Sequence, residues 1–95
     1  MKALIYTKPY SFEYSDFPDP EAGDDDVLIR VKACGICGSD VHGFTGKTGR
    51  RLPPLIMGHE AAGIVEGIGP YVNGFEKSDR VCFDSTVYCN KCEAC

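Results

Sequence analysis

The chain is short of positive charge. Its Lys+Arg total of 10 stands against 14 Asp+Glu, giving a formal net charge of −4 and a pI near 5.0. That balance argues against a nucleic-acid partner, which needs a basic face. The one basic concentration, Lys47, Arg50 and Arg51, reads as a solvated loop, and the acidic run Asp24-Asp25-Asp26 as a solvated turn. Long apolar runs are missing as well. Nothing approaches the roughly 18 residues of a membrane helix, so no membrane span or membrane partner is expected. The apolar start, Met1 to Thr7, is broken by Lys8-Pro9 and is too short for a secretory leader. Without a leader, six cysteines read as reduced thiols in a cytoplasmic protein, with metal binding as their natural use. Repeats, low-complexity segments and internal boundaries are also absent. The 95 residues therefore form one small domain, expected to bury about two-thirds of its unfolded-chain surface.

What is present is mostly period-two patterning. Lys2–Thr7 and Phe12–Asp16 read as strands around the turn at Lys8-Pro9-Tyr10-Ser11, and Pro18-Asp19-Pro20 then breaks the chain. In the next strand Val27, Ile29, Val31 and Ala33 share one face, with Arg30 and Lys32 on the other. It leads directly into Cys34-Gly35-Ile36-Cys37. A short helical turn is expected from Gly38 or Ser39 through Phe44, with Ser39 or Asp40 as cap. Gly43 to Pro54 is loop chemistry. Glu60–Ile68 and Arg80–Phe83 read as two further strands. The fold class is thus mainly β, an antiparallel barrel or sandwich with short helical turns. Gly67-Ile68-Gly69 hints at a dinucleotide-binding loop, but Pro70 follows at once and the third glycine is lacking. A glycine-bent strand end is the better reading.

Two constellations carry chemistry. The first is Gly35-Ile36-Cys37-Gly38-Ser39-Asp40-Val41-His42, answered by Gly58-His59-Glu60. A thiolate, an imidazole and a carboxylate suit zinc, and three protein ligands leave the open position of a catalytic site. Zinc lowers the pKa of bound water from about 15.7 to about 7, worth on the order of 10 kcal/mol, and an alcohol would gain comparably. Ser39 and His42 are candidates to carry the proton away, and Asp40 to orient the His59 imidazole. Glu60 is in tension with His59, because neighbours on an extended strand point to opposite faces. Both can serve one ion only if the backbone turns between them. The second constellation, Cys89-Asn90-Lys91-Cys92-Glu93-Ala94-Cys95, has the spacing of a tetrahedral four-thiolate zinc site with one ligand lacking. Cys82 reads instead as a small buried apolar residue.

These segments, with Ala61-Ala62-Gly63 and Asp79-Arg80-Val81, resemble the zinc-dependent medium-chain alcohol dehydrogenases, and more narrowly their polyol (sorbitol-type) branch. The likeness spans essentially the whole chain. It implies a GroES-like, partly open β-barrel forming the N-terminal part of a catalytic domain, residues 1–95. The Rossmann cofactor domain and the fourth structural cysteine would lie in a longer parent. It further implies Cys37, His59 and Glu60 on a catalytic zinc, Ser39 and His42 on the proton path, and Cys89, Cys92 and Cys95 on a structural zinc. The parent would use NAD(P) to oxidise a small alcohol or polyol and would be a homo-oligomer. The 95 residues alone would be inactive and prone to self-associate. Gly38 stands where some relatives carry a cofactor-phosphate-binding arginine, and Ser78 where glycine is usual.

Two other readings compete. A non-catalytic zinc-binding barrel serving storage or interaction would need Cys34 and Cys82 as much as Cys37. A Cys34–Cys37 thiol oxidoreductase would lack the α/β context that such a pair normally has.

Overall fold

The computed structural model describes all residues from Met1 to Cys95. Two three-stranded antiparallel sheets make up the fold. One holds β1 (Lys2–Lys8), β2 (Ser11–Asp16) and β4 (Leu55–Ile56), in the order β2-β1-β4. The other holds β3 (Val27–Gly35), β5 (Glu60–Ile68) and β6 (Arg80–Cys82), in the order β3-β5-β6. One helix, α1 (Gly38–Phe44), follows β3. The sheets remain separate, so the barrel is of the open kind. Only β4 had no counterpart in the sequence reading. It is two residues long and exists because Ile5 and Tyr6 of β1 pair with Ile56 and Leu55, a length at which periodicity carries no signal.

The first sheet is anchored by aromatic contacts. Tyr6 is fully buried and, with Ala3 and Val65, makes up the fully buried apolar core. Its ring meets Phe12 edge-on at 5.9 Å, and Phe12 stacks on Phe44 at 4.8 Å. The amide of Tyr10 donates to the Phe44 carbonyl at 2.9 Å. Phe44 ends α1, so these contacts fix the helix carrying Ser39, Asp40 and His42 against the hairpin β1–β2. Aromatic pairs of this kind add about 0.5–1.5 kcal/mol beyond burial.

The second sheet departs from simple alternation. Register shifts fall between Leu28 and Ile29 and between Val31 and Ala33. The extra residue is Glu66 of β5 at the first shift and Lys32 of β3 at the second. Val27, Leu28 and Ile29 are half-buried, while every residue from Arg30 to Gly35 is exposed, Val31 and Ala33 included, so nothing covers either face of β3 beyond Ile29. A side chain at Gly63 would run into the Arg30 carbonyl, so glycine there permits the close approach of β3 and β5. β6 is held by Val65 and Ser78, whose amides donate to Asp79 and Val65 carbonyls at 2.9 Å each. Ser78 adopts φ 78° to do so. Beyond the strand end at Ile68, Gly69 lies against the Asp24 carbonyl, which agrees with reading Gly67-Ile68-Gly69 as a bent strand end.

Compactness is where the expectation fails. The accessible surface is 7493 Å², against about 5,400 Å² for a free-standing protein of this mass. The radius of gyration is 15.2 Å, where about 12 Å is usual. The chain therefore buries nearer half than two-thirds of its unfolded-chain surface. The excess is apolar in part: Ile36 is 85% exposed, Val41 57% and Leu4 50%. Cys82, expected inside, is exposed, because Val81 takes the half-buried face of β6 and its neighbour Cys82 lies on the other. No helix is long and apolar enough to cross a membrane.

Candidate metal centre

Two bends of the backbone, at Cys37 and at Gly58, bring the first constellation together. β3 ends at Gly35, and Cys37 sits in extended conformation (φ −87°, ψ 156°) at the N-cap of α1. Its amide donates to Asp40 Oδ2 at 3.0 Å, which orders the chain around the thiol. On the other side, Gly58 takes φ 116°, a value an L side chain rarely adopts. A Cβ there would also lie 2.8 Å from the Cys34 sulfur. This turn precedes His59 and starts β5 at Glu60. Glu60 pairs with Gly35 across the sheet, and a Cβ on Gly35 would come within 3.0 Å of Glu60 Oε2. The carboxylate thus lies over a glycine, in space that any other residue would occupy.

The consequence is convergence. One donor atom each from Cys37, His59 and Glu60 lie within 4.8 Å of one another. A tetrahedral zinc with bonds of about 2.0–2.3 Å needs donors roughly 3.3–3.8 Å apart, so the set fits the ion with small side-chain movements. The tension between His59 and Glu60 is relieved because His59 lies outside β5, which begins at Glu60, and because the face of Gly35 is vacant. Cys37 and His59 are half-buried and Glu60 is exposed, leaving the ion's open side toward solvent.

Asp40 joins both halves of this arrangement. While Oδ2 holds the Cys37 amide, Oδ1 lies 3.2 Å from His59 Nδ1. Both atoms are buried, and neither has a directed hydrogen bond in the chain, so the contact is one of charge at short range. It keeps Nδ1 on the carboxylate and leaves Nε2 for a metal. Arg51 Nη2 stands 3.8 Å from the same Oδ1, a further positive charge on the buried carboxylate that sequence reading had placed in a solvated loop. Ser39 Oγ is 3.5 Å from His59 Nε2. His42, on the last turn of α1, is exposed and makes no hydrogen bond to Ser39. The two instead line one polar cavity.

The second constellation is local. Cys89 Sγ lies 3.4 Å from Cys92 Sγ and 3.3 Å from Cys95 Sγ, a little closer than the roughly 3.8 Å edge of a four-thiolate zinc tetrahedron. Asn90 turns the loop at φ 56°. The Lys91 amide, followed by the thiols of Cys95 and Cys92, pulls the Cys89 thiol down to about 7. Such a thiol is ready to bind metal near neutral pH. All six cysteines are free. Cys34 and Cys82 belong to neither cluster.

Residues 23–95 match the family model of the alcohol dehydrogenase GroES-like domain. The chain belongs to this family. It is 41% identical to a sorbitol dehydrogenase of Bacillus subtilis over 100% of its own length and 28% of the relative's. It is 43% identical to an L-threonine 3-dehydrogenase of Pyrococcus horikoshii, with the same two coverages of 100% and 28%. Among solved structures, a zinc-dependent alcohol dehydrogenase from Streptococcus pneumonia superposes with a TM-score of 0.87 at 35% identity, covering 100% of this chain and 28% of that one. The chain thus spans little more than a quarter of these relatives. The GroES-like architecture expected from the motifs is present, in the open form described above.

Proposed function

We propose that this chain is the N-terminal part, residues 1–95, of the catalytic domain of a zinc-dependent oxidoreductase. The parent would transfer a hydride between an alcohol or polyol and NAD(P). The observation carrying this reading is the meeting of Cys37, His59 and Glu60 around a carboxylate, Asp40, that touches both ligand-bearing segments.

In this reading Cys37, His59 and Glu60 hold the catalytic zinc, and Cys89, Cys92 and Cys95 a structural one. The catalytic zinc supplies Lewis acidity toward the substrate oxygen. Ser39, beside His59 Nε2, receives the hydroxyl proton. His42, exposed on the same helix, delivers it to water, with a solvent molecule or substrate hydroxyl bridging from Ser39. Asp40 orients the His59 ring and holds the Cys37 backbone. The names of the relatives, which point to sorbitol and to L-threonine, favour a small hydroxylated substrate. A cytoplasmic location follows from thiols kept reduced for metal. The large exposed apolar surface supports a parent that is an oligomer and an isolated chain that self-associates.

The test is metal content followed by turnover. Two zinc ions per chain are expected, one of them lost in Cys37→Ser. The 95 residues mixed with an alcohol and NAD(P) are expected to give no reduced cofactor, whereas the longer protein gives it and loses it with Cys37→Ser. Full turnover in the Cys37→Ser protein would end this reading. A storage module is disfavoured because Cys34 and Cys82 stand outside both clusters. It would be supported if their removal cost as much zinc as removal of Cys37.

A further inference from the structure

In the basic loop that reads from sequence as solvated, Lys47 and Arg50 are exposed, whereas Arg51 is folded back onto the helix over Gly43. Arg50 and Arg51 line, with Thr48, Ser39 and His42, an open pocket of about 330 Å³ to which no hydrophobic residue contributes. Thr48 shapes the loop by accepting the Arg50 amide at 3.3 Å. Each guanidinium presents five N–H donors and no acceptor. No side-chain hydrogen bond in the chain uses any of them, and Arg50 forms no ion pair. Arg51 has only Asp40 at 3.8 Å, too far for a hydrogen bond. The chain as a whole carries −4, so two adjacent guanidinium groups lining one pocket, of which only Arg51 has a carboxylate nearby, run against its general charge.

We propose that this cavity binds a phosphoryl group. Two cationic forks match a phosphate, which carries about −1.5 to −2 near neutral pH, better than a carboxylate, which one fork satisfies. The hydroxyls of Ser39 and Thr48 add donors for the remaining oxygens. The cavity borders the proposed proton path, so the anion belongs either to a phosphorylated polyol substrate or to the diphosphate of the dinucleotide. Only that assignment rests on the function proposed above. Phosphate binding itself does not.

The experiment is a titration of the zinc-loaded full chain with inorganic phosphate, followed by ¹H–¹⁵N shifts, with chloride at matched ionic strength as control. Saturable binding is expected, with shifts centred on Ser39, Thr48, Arg50 and Arg51. Arg50→Gln should weaken it by about tenfold or more, as loss of charge-assisted hydrogen bonds implies. Arg50 touches neither metal cluster, so zinc content should stay the same in that variant and its spectrum should report an intact fold. Sorbitol 6-phosphate displacing phosphate assigns the anion to the substrate, and NAD displacing it assigns it to the cofactor. Either outcome supports the phosphoryl site. Shifts that chloride reproduces, that fail to saturate, or that Arg50→Gln leaves unchanged overturn it. A failure of the metal reading would appear separately, as missing zinc with phosphate binding retained.

Discussion

Cys37 and His59 are separated by a helix, a glycine-rich loop and strand β4, and they meet only where β3 and β5 pair. Cys89, Cys92 and Cys95 lie within one short loop and need a single turn at Asn90. The first cluster mixes sulfur, nitrogen and oxygen donors and is braced by a buried carboxylate with a guanidinium beyond it. The second is sulfur alone, exposed, with no supporting side chain. The difference teaches that donor chemistry and mode of assembly go together. A site with a vacant position must be held in geometry by the whole fold, whereas a site that closes all its positions can be organised by the metal itself.

The strongest way to break this comparison is to remove ligands one cluster at a time. Cys37→Ser or His59→Ala should lower zinc from two ions to one by atomic absorption, and Cys92→Ser should remove only the other. If any one of these substitutions stripped both ions, the clusters would not be independent. Next in size is Asp40→Asn. It should weaken zinc at the first cluster by roughly 10- to 100-fold, the usual effect of losing a group that orients a ligand, and leave the second untouched. Arg51→Met, acting through a partly exposed pair at 3.8 Å, should cost only about two- to fivefold. Chelator competition reads both, and equal effects would show that Arg51 does more than support Asp40.

Backbone substitutions sharpen the same contrast. Gly58→Ala forces an L residue to φ 116° and against the Cys34 sulfur, at about 1–3 kcal/mol by urea unfolding, with zinc lost from the first cluster alone. Ser78→Gly should act in the opposite direction. It relieves a non-glycine residue at φ 78° and should stabilise the fold by about 1 kcal/mol without changing either cluster. A destabilised Ser78→Gly protein would mean that the serine side chain contributes more than its backbone costs. Smallest is a pH effect in the second cluster. The Cys89 thiol is lowered from 9.0 to about 7 in the folded chain. The stability it contributes is therefore complete above pH 9 and is lost as pH falls through about 7. In zinc-free protein, iodoacetamide should label Cys89 ahead of the other thiols, with half-maximal rate near pH 7. Uniform labelling across all six would contradict the hydrogen bonds drawn from Lys91, Cys92 and Cys95.

Much of the fold was legible because it is local. The strands β1, β2, β3 and β5 and the helix α1 lie within a residue or two of where the sequence pattern places them, although the N-cap of α1 is Cys37 rather than Ser39 or Asp40, the latter standing at N3. β4 was not, since two residues gain strand geometry only from their partner β1. The face of β3 was misjudged beyond Ile29 because Arg30 to Gly35 are exposed on both faces, and whether a strand face is covered depends on what the rest of the fold packs against it. Cys82 was misjudged for a related reason: Val81 holds the half-buried face of β6, and which face the fold covers is not a property of the strand alone.

The types of ligand and the local three-cysteine loop follow from residue chemistry and spacing, which any reading of the chain contains. That Glu60 joins His59, that Asp40 reaches both ligand segments and that Arg51 turns back onto the helix are matters of long-range placement. They depend on the β3–β5 register, on the left-handed turn at Gly58 and on the empty face of Gly35. Periodicity reports which face a residue prefers. Only the packed chain sets the few ångströms between groups that decide whether they share an ion.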